Sequence, residues 1–179
     1  MVDNATPTVA GQRLFFAMLP DTETISRIER IQRKLNIRGR AVKASQFHVT
    51  LVFLGMQPVE RLPSLRAIAS GLDMPACTVA VDCLGSFHRA GVAWLGASKL
   101  PLELVAFQAR LAARLEQAQI QYDHRPWKFH LTLYRDLRTT VGRMQPNTVN
   151  WHLDGFSLME SSNTGNGVEY RQLGRWKAW

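Results

Sequence analysis

The chain has 179 residues, enough for one unit with a sizeable core, and its 46% hydrophobic and 20% charged content excludes a disordered or collagen-like polymer. Lys and Arg outnumber Asp and Glu by 22 to 14, and the net charge of +8 favours an anionic partner such as RNA or a nucleotide. The only cysteines, Cys77 and Cys83, form no CxxC pair, so nothing suggests a zinc ribbon or redox site, and no apolar run approaches a membrane span.

Residues 1–11 carry an acidic residue and no apolar core, so they read as a flexible tail rather than a secretory signal, ahead of one bilobal domain over 12–179. Reduced thiols and the lack of a signal make the cytoplasm the expected compartment. Arg13 to Leu19 is dense in apolar and aromatic residues and stops at Pro20, as a buried strand does. Asp21 or Thr22 then caps a helix over 22–35, with Ile25, Ile28, Ile31 and Leu35 at helical spacing. A basic loop with Arg38, Arg40 and Lys43 leads into a strand ending at Leu54. Pro58 to Leu72 reads as a second helix, and Cys77 to Leu84 as one strand with both thiols on one face.

The order then recurs. Val92 to Leu95 is a short strand, and Leu102 to Gln119 is a helix with Leu104, Phe107, Leu111 and Leu115 on one stripe. A loop at His124-Arg125-Pro126 precedes a strand over Lys128 to Tyr134. Trp151 to Leu158 and Val168 to Leu173 close the chain as a hairpin around residues 163–167.

Two of the five histidines sit in one repeated phrase, Phe47-His48-Val49-Thr50-Leu51 and Phe129-His130-Leu131-Thr132-Leu133. In a strand, residues i and i+2 share a face. His48 therefore points with Thr50, and His130 with Thr132, while the intervening apolar residues point inward. Each phrase closes a strand–helix–strand module. The expected fold is α+β: a duplicated module in two lobes, with mostly antiparallel sheets around a central cleft and helices outside.

Paired imidazoles suit phosphodiester chemistry near neutral pH, one ring accepting a proton while the other donates. On opposite sides of phosphorus, one activates water and the other protonates the departing ribose oxygen. Such help is typically worth ~10²–10⁴-fold per group. Thr50 and Thr132 would donate hydrogen bonds to the non-bridging oxygens. The scheme calls for no metal or cofactor, and no HExxH, P-loop or GxGxxG pattern is present. Tyr134 shares parity with His130 and Thr132, so it would be placed to stack on a base, as Trp127 would from its loop. Arg38, Arg40 and Lys43 would guide an RNA backbone or simply be solvated.

Paired HxTx phrases on a duplicated α+β frame resemble the 2H phosphoesterase superfamily, and within it the bacterial RNA 2′,3′-cyclic phosphodiesterases, historically called 2′-5′ RNA ligases. The likeness rests on Arg13-Leu14-Phe15-Phe16-Ala17, His48 to Gly55, Val92 to Gly96, His130 to Arg135, Glu160-Ser161-Ser162, Tyr170 and Arg175-Trp176. Phe129 departs from the proline that many relatives carry before the second histidine. The resemblance implies hydrolysis of a terminal 2′,3′-cyclic phosphate on RNA, or of a small cyclic nucleotide, to a 2′-phosphomonoester by a monomer. It implies His48 as proton donor and His130 as proton acceptor, roles that the near-symmetric phrases do not assign by themselves. It also implies a phosphate-holding role for Arg135, which strict strand parity would send to the opposite face unless a bulge turned it back. The alternatives are an enzyme acting mainly on 2′-5′ linked oligonucleotides and a non-catalytic module that holds RNA phosphate.

Overall fold

The computed structural model describes residues 11–138, 141–142, 144–165 and 167–179; of the expected tail, residues 1–10 lie outside these and Gly11 already opens a strand. In chain order the elements are β1 (Gly11–Met18), α1 (Thr22–Lys34), β2 (Arg40–Ala41), β3 (Val49–Pro58), α2 (Leu62–Ser70), β4 (Cys77–Val81), β5 (Cys83–Phe87), β6 (Val92–Gly96), α3 (Leu102–Gln117), β7 (Leu131–Arg135), β8 (Val149–Leu153), β9 (Gly155–Asn163) and β10 (Val168–Lys177). The Asp21 carboxylate accepts the Thr24 N–H at 2.7 Å, capping α1 as its sequence predicts. All four stripe residues of α3 are fully buried.

The larger sheet has eight strands in the order β10-β9-β1-β3-β7-β6-β5, with β2 also paired to β7; β4 and β8 form a separate two-stranded sheet. The pairings are antiparallel. The fold is thus α+β, as expected. Two expected strands are each broken in two. Residues 77–84 divide at Asp82, and residues 151–158 divide at Asp154, each time passing from the small sheet to the large one. At the first break the Asp82 carboxylate takes the backbone N–H and hydroxyl of Ser98. At the second, Gly155 has φ +153, and a Cβ there would lie 2.2 Å from the Trp176 carbonyl. Cys77 and Cys83 consequently belong to different sheets.

The duplicated modules are β1-α1-β3 and β6-α3-β7, and their motif strands meet at the centre of the large sheet through one ladder pair, Val49 with Leu131. The helices cross over between modules. Gln32 of α1 donates from Nε2 to the Leu133 carbonyl in β7 (2.9 Å) and to the Val42 carbonyl (3.0 Å). Gln108 of α3 donates to the Leu51 carbonyl in β3 (3.2 Å). Trp127, just ahead of β7, donates its indole N–H to the Thr50 carbonyl (2.8 Å).

Candidate active site

Each histidine immediately precedes the first ladder residue of its strand. His48 Nδ1 lies 2.7 Å from the Gln46 carbonyl and His130 Nδ1 lies 2.8 Å from the Lys128 carbonyl. A carbonyl only accepts, so both rings carry their hydrogen on Nδ1 and leave Nε2 for other work. Each imidazole is also wedged by aromatic rings. His48 contacts Phe15 of β1 and Tyr170 of β10, both at 5.1 Å between centroids, and His130 meets the edge of Phe87 at 5.1 Å.

Both motif strands carry a β-bulge directly after the threonine. In β7, Leu131 and Thr132 pair with Leu95 and Trp94, but Tyr134 pairs with Ala93, so Leu133 has no residue opposite it. In β3, Thr50 pairs with Ala17 and Val52 with Phe16, leaving Leu51 extra. The bulge shifts the alternation by one residue. Leu51 and Val52 both face the core, as do Leu133 and Tyr134, and the face with the histidine resumes at Phe53 and Arg135.

This one irregularity places Arg135 and Tyr134 on the opposite faces from those that strict alternation gives. Arg135 is half-buried on the side of both histidines, and its positive charge lowers the pKa of each. Tyr134 lies on the core side, away from the face of the histidines. It is 8% exposed, sits in the main core, and its hydroxyl donates to the Gln32 carbonyl at 2.8 Å. Trp127 likewise serves as the tie to Thr50 described above. Thr50 and Thr132 are half-buried on the face of the histidines, with Ala17 and Trp94 as their cross-strand neighbours.

The electrostatics follow from burial. Desolvation is the largest influence on His48 and lowers its pKa from 6.5 to about 4, with Arg135 and His130 adding repulsion against the Gln46 carbonyl. His130 is lowered for the same leading reason, with Lys128 and Arg135 repelling its proton. Both rings are therefore neutral near pH 7, beside the cationic Arg135 and Lys128 side chains.

Several contributors escaped the sequence reading. The Lys128 ammonium lies over the rings of Trp94 (4.5 Å) and Phe87 (4.9 Å), beside His130. Its position two residues before His130 carried a parity signal. Phe15, Phe87 and Tyr170 come from three other strands, and only the register brings them to the histidines. Phe53 stands five residues after His48, as Arg135 does after His130, and holds the Arg13 guanidinium over its ring at 4.9 Å. Among the described residues no three His, Cys, Asp or Glu side chains gather in a way that would hold a metal ion.

Residues 20–164 match the model of the family described as the 2′-5′ RNA ligase superfamily. The chain is 31% identical over 169 residues to an RNA 2′,3′-cyclic phosphodiesterase of Escherichia coli (strain K12), covering 92% of this chain and 96% of that protein. It is 28% identical over 174 residues to the enzyme of the same name from Thermus thermophilus, covering 90% and 87%. Its fold resembles the crystal structure of E. coli LigT complexed with 3′-AMP, with a TM-score of 0.84 at 29% identity over 94% of this chain and 99% of that one.

Proposed function

The chain belongs to the 2′-5′ RNA ligase superfamily, and from that premise we propose that it is an RNA 2′,3′-cyclic phosphodiesterase, opening a terminal cyclic phosphate to the 2′-phosphomonoester. The observation that carries this reading is the matched pair of histidines, each held by a carbonyl two residues upstream, each beside a threonine, with Arg135 acting on both. The relatives named above carry the same activity in their names.

In this scheme the phosphate lies between the two Nε2 atoms. Arg135, Thr50 and Thr132 bind the non-bridging oxygens, where negative charge grows in the transition state. His130 takes a proton from water as it attacks phosphorus, and His48 delivers a proton to the departing 3′ oxygen; these two roles follow the family resemblance. Burial is the main cause of the low His48 pKa, with Arg135 adding to it, and the negative charge of a bound anion raises the affinity of His48 for its proton against both. The imidazoles move all the protons, so the scheme needs no metal.

His48→Ala and His130→Ala are each expected to lower kcat by ~10²–10⁴-fold, while the parent keeps its rate in EDTA. Turnover surviving in both variants, or loss in chelator that a divalent ion restores, would sink the mechanism. The family description also favours a 2′-5′ linkage as a second substrate. A 2′-5′ linked dinucleotide assayed beside a cyclic-ended oligomer ranks the two.

A further inference from the structure

Three segments distant in sequence converge beyond Arg135. Arg40 in β2 pairs in register with Arg135. The Arg138 N–H donates to the Arg38 carbonyl at 3.3 Å, and the Leu137 N–H donates to the Gly91 carbonyl at 3.1 Å, drawing in the short 3₁₀ turn His88–Ala90. The rim so formed carries Arg38, Arg40, Arg89 and Arg138, all exposed, next to the half-buried Arg135. Asp136 is ion-paired to Arg40 at 2.8 Å.

Elsewhere on the surface Arg125 is ion-paired with Asp123, Arg171 with Glu160 and Arg175 with Asp154. On the rim, Arg38, Arg89 and Arg138 have no carboxylate at ion-pair distance among the described residues. Like charges gathered without counter-charges repel one another, and an anionic polymer relieves that repulsion. Guanidinium forks are suited to phosphate oxygens.

We propose that this arginine rim binds the body of the RNA, so that the nucleotides upstream of the cyclic end cross residues 38–40, 89–91 and 135–138 as they leave the active site. The inference rests on the proposed function and deepens it. The enzyme is then selective for cyclic ends on single-stranded RNA over free cyclic mononucleotides, because only the former carries phosphates that reach the rim. The rim contacts backbone rather than base edges, so selectivity depends on length and salt and little on sequence.

The test compares the parent with the double variant Arg38→Glu/Arg138→Glu and with Arg89→Glu on a cyclic-ended oligoribonucleotide and on a 2′,3′-cyclic mononucleotide, across ionic strengths. The expected result is a fall in kcat/KM for the oligomer of roughly tenfold or more at low salt in the double variant, with a smaller fall in the single one. Each lost phosphate contact should flatten the slope of log(kcat/KM) against log[salt] by ~0.7. The mononucleotide should be hydrolysed at the parental rate. Equal losses on both substrates, or none on either, overturn the rim as the RNA path. Binding of the 2′-phosphate-ended oligomer, read by fluorescence anisotropy, decides the same question independently of turnover: unchanged affinity in the double variant overturns the rim. A parent that hydrolyses neither substrate yet binds the oligomer through the rim overturns the proposed function alone.

Discussion

At both histidines a backbone carbonyl two residues upstream holds Nδ1–H, so the tautomer is fixed before any substrate arrives. What distinguishes the rings is their burial. His48 is held to about 4 and His130 is also lowered from 6.5. In the free enzyme the donor must be protonated and the acceptor neutral, and kcat/KM reports those free-enzyme groups. The kcat/KM profile should therefore be a bell on the acid side of 6.5. A bound phosphate raises both pKa values, so the kcat bell should lie at higher pH. Arg135→Ala removes a repulsive charge from both rings and should move the kcat/KM bell toward alkali while raising KM. A kcat/KM optimum above neutrality in the parent would contradict the assignment. Tyr134→Phe tests the buried role of that phenol. It should cost about 1 kcal/mol in denaturant unfolding, the ordinary worth of a buried hydrogen bond, and leave KM unchanged; a raised KM would return Tyr134 to the substrate. His48, Thr50, His130 and Thr132 were legible because a five-residue phrase, identical at four of its positions, recurs in both halves. Phe15, Phe87 and Tyr170 were not, because nothing local links three separate strands to a distant imidazole.

At the scale of the element, the bulges at Leu51 and Leu133 decide which side chains share the face of the histidines. Strict alternation places Tyr134 in the site and Arg135 outside it; one extra residue in the strand reverses both. The sequence pattern hides this, since Leu-Val and Leu-Tyr are equally good in a regular strand. The breaks at Asp82 and Asp154 were hidden for a related reason, because the hydrophobic pattern continues across a change of sheet. Each motif bulge has its carbonyl held by a glutamine, and that bond is where the irregularity is open to experiment. Gln32→Leu leaves the Val42 carbonyl without its side-chain donor and removes one of the bonds at Leu133. The expected loss is ~1–3 kcal/mol of stability, with a several-fold rise in KM as Arg135 loses its support. Parental KM in a destabilised Gln32→Leu protein would show that the bulge holds without its glutamine.

At the scale of the molecule, the duplication was legible from the paired phrases, the helical stripe of α3 and the Asp21 cap of α1. That the two halves share one continuous sheet was not, since no residue pattern announces the single Val49–Leu131 pair that joins them. The halves also exchange support, α1 reaching β7 and α3 reaching β3. We therefore expect one cooperative unfolding transition, with tryptophan fluorescence and far-ultraviolet circular dichroism coincident in denaturant. Two separated transitions would mean that the lobes are independent. The crossed glutamines also bear on ancestry. Neither motif bulge is held by the glutamine of its own half, since Gln32 reaches Leu133 and Gln108 reaches Leu51. Duplication and fusion would then have made permanent an association on which each half already depended. It would also have freed the two copies to differ, as they now do with arginine at position 135 and phenylalanine at the matching position 53.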